Sequence, residues 1–280
     1  MDISRLTHMR RVVHASQTSF LWMMKVLPRE RRHAMYALYA FCREVDDIVD
    51  KPGDFDSKIR ALEVWRAEID RLYDGTPSKP TVYALVGPVE RFDLPKDEFI
   101  AIIDGMAMDA CADVRMETMD DLLLYCRRVA GAVGILSLQI MGFHSSMGRA
   151  LAEHLGNAFQ LTNILRDLKE DVSIGRLYVP LSLLRAQGAP TSPIQSTLLH
   201  VGFARACEDL AKSARGFYAE ADRIISTIGR RQLRPVVIAF TSYRDIFDRL
   251  LERGFSNLDR PVRLSRASKL WNAVRSGFLA

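Results

Sequence analysis

The sequence predicts an all-α protein, and three observations carry that prediction. Apolar residues recur at intervals of three and four over most of the 280 residues, which is the period of one face of an α-helix. Helix-stopping signals such as Lys51-Pro52-Gly53, Gly75-Thr76-Pro77 and Leu94-Pro95 separate those stretches. No segment alternates apolar and polar residues long enough to build a sheet.

The elements follow in order. Residues 30–50 place Met35, Leu38, Tyr39 and Cys42 at helical spacing and stop at Lys51-Pro52-Gly53. Residues 57–73 repeat Ile59, Leu62, Ile69 and Leu72 on one stripe. Helices over 81–92 and 96–109 flank Leu94-Pro95. Thr118-Met119-Asp120-Asp121 reads as a helix start with an acidic first turn, and the helix it opens extends to about 141. Another covers about 147–171. Residues 173–180 are expected to be loop. Residues 186–196 are the most linker-like stretch, yet too short to separate domains. Helices near 197–226 and 235–254 follow, then a short basic one. No internal repeat is present, so the expectation is a single all-α domain around a central cavity.

Composition bounds the function. Hydrophobic residues make up 48% and charged residues 26%, ordinary for a globular protein large enough to bury a core. Cys42, Cys111, Cys126 and Cys207 are scattered without CxxC spacing, which points to reduced packing residues rather than a disulfide frame or zinc site. The N-terminus shows no signal-peptide pattern and no apolar run reaches the ~18 residues of a membrane span, so a cytoplasmic protein is expected. Net charge is +5, with Arg5, Arg10 and Arg11 early and Arg253, Arg260, Arg263, Arg266, Lys269 and Arg275 late. That balance raises nucleic-acid binding, but there is no recognised motif and no basic stripe interleaved with aromatics, so no nucleic-acid partner is expected. What remains is either a solvated basic surface or attraction to anionic lipid or diphosphate.

The chemistry lies in two acidic clusters about 120 residues apart: Asp46-Asp47-Ile48-Val49-Asp50, and Asn163-Ile164-Leu165-Arg166-Asp167-Leu168-Lys169-Glu170-Asp171. In each, two Asp stand four residues apart on a helix, so both carboxylates share a face and repel each other. A solvated acidic face is the ordinary explanation of one such pair. Here both clusters sit among strongly apolar residues, where unpaired carboxylates are costly. Divalent cations are the better account. Mg²⁺ takes one or two carboxylates, waters and phosphate oxygens, so two facing clusters would hold several ions with a diphosphate between them. Asn163, Asp167 and Asp171 make one face, and Gln160 extends it. Arg43, Arg166 and Arg176 lie beside the clusters. They either offer bidentate donors to phosphate or offset the acids as surface ion pairs, each worth about 0–1 kcal/mol.

These residues resemble a known family. Tyr36 to Asp50 (YALYAFCREVDDIVD) is similar to the first signature of the squalene/phytoene synthases, and Gln160 to Asp171 followed by Gly175-Arg176-Leu177-Tyr178-Val179-Pro180 to the second. Further similarity lies at Ser19-Phe20, Leu27-Pro28, Tyr125 to Gly134 and around Tyr243, so the resemblance covers about 14–270. It implies the all-α isoprenoid synthase fold and Mg²⁺-dependent head-to-head condensation of two prenyl diphosphates. Asp46 and Asp50 would bind metal from one side and Asn163, Asp167 and Asp171 from the other, with Asp47 and Glu170 in support. Ser19, Phe20, Tyr39, Arg43 and Arg166 match positions contacting diphosphate or the first isoprenoid units. Tyr125, Gln160, Tyr178 and Tyr243 match cavity positions. Phe20, Trp22, Tyr36, Met108, Leu136, Met141 and Phe159 are tunnel candidates, each also explicable as core. Ala130-Gly131 and Val133-Gly134 would serve either a close-lying lipid chain or close helix packing.

Details within the family are most similar to the bacterial members that stop at presqualene diphosphate in hopanoid pathways. They are the run Ser19 to Pro28, Arg31 to Tyr36, and the tail Arg263 to Leu270. With the sequence ending soon after that tail, no membrane anchor like that of eukaryotic squalene synthases is expected. No GxGxxG fingerprint is present, and an enzyme stopping at presqualene diphosphate needs no NADPH. The alternatives are a phytoene or dehydrosqualene synthase, or a non-catalytic assembly factor. Peripheral contact with anionic inner membrane and hand-over to downstream squalene-pathway enzymes are the further partners expected.

Overall fold

The predicted helices form, and two of the longest carry the acidic clusters. The structure, a computed structural model, describes residues 20–262, with side chains from Met23 onward. Helix α1 spans Phe20–Lys25, α2 Arg29–Asp50, α3 Phe55–Tyr73, α4 Pro80–Tyr83, α5 Val86–Phe92 and α6 Lys96–Met108. Strand β1 (Val114–Arg115) precedes α7 (Met119–Cys126), a π-helical turn (Arg127–Gly131) and α8 (Ala132–Met141). Then come α9 (Ser146–Ser173), strand β2 (Arg176–Leu177), α10 (Leu181–Ala186), α11 (Ile194–Leu199), α12 (Val201–Ile228) and α13 (Arg234–Arg253).

Side-chain caps open three of these helices, α7 at the Thr118 start that the sequence predicts. The Asp54 carboxylate accepts from the Ser57 N–H at 2.8 Å to open α3. Thr118 and Asp121 form a reciprocal capping box at α7, satisfying donors that a helix end leaves unpaired. Ser145 does the same for α9 by accepting from the Gly148 N–H.

Three expectations need correction. The helix expected over 81–92 is two helices, broken at Ala84-Leu85. Pro88 lacks a donor N–H and suits a first helical turn, so a new helix begins at Val86. The helix expected over 197–226 begins at Val201, because His200 is extended (φ −85°, ψ 137°) and its Nδ1 accepts from the Gly202 N–H at 3.0 Å. Most of the 186–196 linker stretch remains irregular between α10 and α11. The loop at 173–180 contains β2, which pairs in parallel with β1, Val114 opposite Arg176 and Arg115 opposite Leu177. Two-residue strands are too short for alternation to reveal. Gly175 makes the pairing possible: at φ +84°, a Cβ there would lie 2.3 Å from the Ala112 carbonyl oxygen.

One contiguous apolar core runs from Met23 to Val262, with α9 at its centre packed against α7, the π turn, α8, α12 and α13. The short basic helix expected after α13 lies outside the described residues. Among the described residues, one helical run, Met119–Met141, is long and apolar enough by length and composition to cross a membrane, with a mean hydropathy of 1.3. It joins α7, the π turn and α8 into a span that no single apolar run announces. It packs against α6 and α9, and Arg127 within it pairs with the buried Glu98 at 2.8 Å. Those contacts are what a core helix makes.

Candidate active site

The site is built from stripes that change character along their length. On α2, Met35, Leu38, Tyr39 and Cys42 share one face, and the next turns of that face carry Asp46 and Asp50. On α9, Ala152, Leu155, Gly156, Phe159, Gln160 and Asn163 share a face that continues into Asp167 and Asp171. Each helix therefore runs from apolar to acidic along one side. From Met35 to Asp46 the rise is about 16 Å at 1.5 Å per residue.

The apolar parts enclose a cavity of about 270 Å³. Met23 and Met24, the α2 stripe, and Val129, Ala130, Val133, Gly134, Ser137, Leu138 and Met141 line it, together with the α9 stripe, Val236, Ala239 and Tyr243. The positions from 130 to 141 keep helical spacing through the π turn, which re-aims the chain between α7 and α8; such turns recur at functional sites. Of the expected tunnel residues, Met141 and Phe159 line the cavity. Tyr36 and Leu136 are buried in the core instead, because they project from the opposite sides of their helices. Met108 is half-buried outside the cavity wall, its sulfur accepting from Arg128 Nη1 at 3.5 Å. Phe20 and Trp22 lie where side chains are not described, and Ser19 lies outside the described residues altogether.

The small residues serve both uses. Ala130, Val133 and Gly134 line the cavity, whereas Gly131 meets α9. A Cβ on Gly156 would lie 2.6 Å from the Gly131 nitrogen and 2.7 Å from its Cα. Backbone cannot yield there, so Gly156→Ala is expected to cost about 1–3 kcal/mol of stability, read as a lower midpoint in urea unfolding. An unchanged midpoint would contradict this contact.

Beyond the cavity, the charged groups interlock. Arg43 reaches Asp46 at 3.0 Å and Asp47 at 2.8 Å. Arg166 grips Asp167 through both carboxylate oxygens, at 2.8 and 2.6 Å. Arg176 donates to Asp50 Oδ1 at 3.1 Å and to the Val49 carbonyl at 3.3 Å, which ties the chain after α9 to the end of α2 and so brings the two clusters together. Burial and the neighbouring Asp50 push the Asp46 carboxyl up to about 6. Burial and Asp167 push Asp171 up to about 7. Crowded acids resist ionisation, as the sequence spacing implies.

Tyr39, Gln160, Asn163 and Tyr243 all line the cavity at its acidic end. Tyr243 stacks on Phe159 with ring centroids 4.1 Å apart and planes at 19°. Tyr125 and Tyr178, expected on the cavity wall, are elsewhere. They stack on each other at 5.0 Å and both donate to Asp109, at 2.8 and 2.7 Å. Their hydroxyls are drawn off the wall by a buried carboxylate that the sequence reading did not single out. Its only signal is an acid placed directly after the apolar turn Met106-Ala107-Met108. Cys42 lines the cavity too, with burial raising its thiol to about 12, so it acts as an apolar wall rather than a nucleophile.

The donor set fits a hard divalent cation. Asp46, Asp50, Asp167 and Asp171 supply oxygens, and the Asn163 Oδ1 is buried with no hydrogen-bond partner while its Nδ2 donates to Gln160 at 3.3 Å. A buried carbonyl oxygen left this way is costly unless something electropositive meets it. Among the described residues no three His, Cys, Asp or Glu side chains converge on one point.

Comparison with known proteins identifies the family. A sequence profile described as squalene/phytoene synthase matches residues 13–268. A presqualene diphosphate synthase of Sinorhizobium fredii is 41% identical over 252 residues, covering 90% of each chain. A phytoene synthase of Thermus thermophilus is 35% identical over 256 residues, covering 91% of this chain and 86% of its own. The crystal structure of a squalene synthase from Alicyclobacillus acidocaldarius superposes with a TM-score of 0.81 at 27% identity, covering 90% of this chain and 95% of that one.

Proposed function

Because this chain belongs to the squalene/phytoene synthase family and is an enzyme of the prenyltransferase type, we propose that it joins two farnesyl diphosphates head to head into presqualene diphosphate. One observation carries the reading: the cavity stripes of α2 and α9 run unbroken into the two acidic clusters. An apolar slot ending in acids, arginines and a buried orphan oxygen suits a molecule with a hydrocarbon tail and a diphosphate head. Greater similarity to the presqualene diphosphate synthase than to the phytoene synthase supports the C15 substrate.

Asp46, Asp50, Asn163, Asp167 and Asp171 would hold Mg²⁺, with Asp47 and Glu170 nearby. Ions bound there would supply the positive charge that neutralises diphosphate and makes it a better leaving group. Arg43, Arg166 and Arg176 add guanidinium donors to the same head group. The C1–O bond of the first substrate breaks, its electron pair leaving with diphosphate. The resulting allylic cation lies against apolar walls and the stacked Phe159–Tyr243 pair, which exclude water and offer π-faces. The C2–C3 double bond of the second substrate supplies the electrons for the new bond to that C1, and loss of a proton to an oxygen of the released diphosphate closes the cyclopropane. Nothing in this sequence consumes a reductant, so NADPH is not needed. The basic tail from Arg263 onward lies outside the described residues; peripheral contact with an anionic membrane and hand-over to a later squalene-pathway enzyme are part of the same proposal, for a cytoplasmic enzyme with a lipid product.

Purified protein incubated with farnesyl diphosphate and Mg²⁺, without NADPH, is expected to accumulate presqualene diphosphate, identified by mass spectrometry of the extract. A C40 product from geranylgeranyl diphosphate would replace the reading with a phytoene synthase. Squalene formed only with NADPH would replace it with a squalene synthase. No product from either substrate would leave the non-catalytic alternative standing.

A further inference from the structure

Asp109 follows α6 directly and is 4% exposed, yet it carries a carboxylate. Burying such a group unpaired costs several kcal/mol, and two phenols from two other parts of the chain meet it. Tyr125 of α7 donates to Oδ2 at 2.8 Å, and Tyr178, just after β2, donates to Oδ1 at 2.7 Å. The two hydroxyl oxygens are 3.4 Å apart and the rings lie nearly parallel, at 22°. One carboxylate thus fixes the rotation of two hydroxyls and the stacking of two rings. Both oxygens of Asp109 already accept a short bond, which leaves it poorly placed to be a further metal ligand.

Position makes this arrangement more than a core contact. Asp109 lies within electrostatic range of Asp46 and Asp50 on α2, of Asp171 on α9, and of Arg176. It sits where the two clusters meet, which is where the departing diphosphate would leave a cation behind. A phenol that donates a hydrogen bond to a carboxylate is richer in electron density and attracts a cation more strongly.

We propose that Asp109 is a positioning residue for the condensation, acting by pinning the hydroxyls of Tyr125 and Tyr178 so that their stacked rings are held beside the two acidic clusters. The inference rests on the prenyl-diphosphate reading of the site.

The experiment is a mutant cycle on farnesyl diphosphate turnover. Asp109→Ala is expected to lower kcat about 100-fold, the size of a small misplacement of catalytic geometry, with KM within threefold of wild type. Asp109→Asn keeps the shape and one acceptor and is expected to restore at least tenfold of that loss; it also serves if the alanine variant fails to fold. In a Tyr125→Phe/Tyr178→Phe background no hydroxyl remains to be held, so Asp109→Asn should cost less than threefold further. Urea unfolding midpoints should show the same non-additivity. Equal kcat losses in both backgrounds would overturn the proposal, as would a KM rise without a kcat fall. Wild-type protein that yields no prenyl product would overturn the functional reading and this role with it, whereas product from wild type with additive losses overturns this role alone.

Discussion

Asp167→Ala is expected to lower turnover by about 10³-fold or more while leaving the protein folded. Asp167 sits one turn beyond Asn163 on the face of α9 that continues the cavity wall, and Arg166 grips both its oxygens. Removing it takes away one of four carboxylates available to neutralise the diphosphate through Mg²⁺, and it frees a guanidinium whose position the carboxylate sets. Asp46→Ala should behave alike, because Asp46 holds the corresponding place on α2 and orients Arg43 at 3.0 Å. Both residues are half-buried at the surface of the site rather than in the core, so thermal unfolding midpoints should not fall. Steady-state turnover with Mg²⁺ is the measurement, and activity within tenfold of wild type in either variant would sink the assignment of the clusters.

Metal-free protein is expected to lose stability as pH rises, the reverse of the usual behaviour of paired carboxylates. Asp171 has an ordinary value of 3.8 when unfolded and about 7 when folded, and Asp46 moves from 3.8 to about 6. Between those limits the folded chain holds protons that the unfolded chain has released, so the unfolding free energy falls with pH. The loss begins near pH 4, is complete near pH 7, and amounts to a few kcal/mol at most for the two coupled groups. Glu68 works the other way. Its carboxyl is held down at about 2 by hydrogen bonds from Ser78, Lys79 and Arg71 that outweigh its burial, so its contribution is whole above the unfolded value of 4.5 and lost only as pH falls toward 2. The slope between pH 5 and 7 therefore reports the carboxyls that burial and crowding push up, those of the acidic clusters and the buried Asp109. Urea unfolding of chelator-treated protein should show it, and Asp171→Asn should flatten it and raise stability at pH 7.5. A stability that rises from pH 5 to 7 in metal-free wild type would refute the crowding of these acids. Adding Mg²⁺ with inorganic diphosphate should stabilise more at pH 7.5 than at pH 5.5, because binding displaces those protons.

The same crowding explains why so much of the site was legible in the sequence. Like charges four residues apart are anomalous on a helix, and the anomaly survives without knowledge of the fold. Apolar spacing on α2 and α9 then points to the side that faces inward. What spacing could not tell was which apolar residues face a cavity and which face another helix. Leu136 and Met141 look alike in sequence, and only the packing of α8 between α2, α6 and α9 sends Met141 to the cavity and Leu136 to the core. Tyr125 and Tyr178 stand in recognisable motifs, but their partner does not. Asp109 is about 16 residues from one and 69 from the other, and no local pattern records a contact at that separation.

By itself the sequence determined the helical architecture, the helix start at Thr118 and the two acidic faces, because each is a matter of local period and capping over a few turns. The meeting of those faces was decided by tertiary structure. Arg176 reaches Asp50 only because Gly175 lets β2 lie against β1, and Gly156 lets α9 approach the π turn closely enough to close the cavity wall. Close approaches of this kind depend on what lies opposite, far along the chain, and a glycine shows only that room was left.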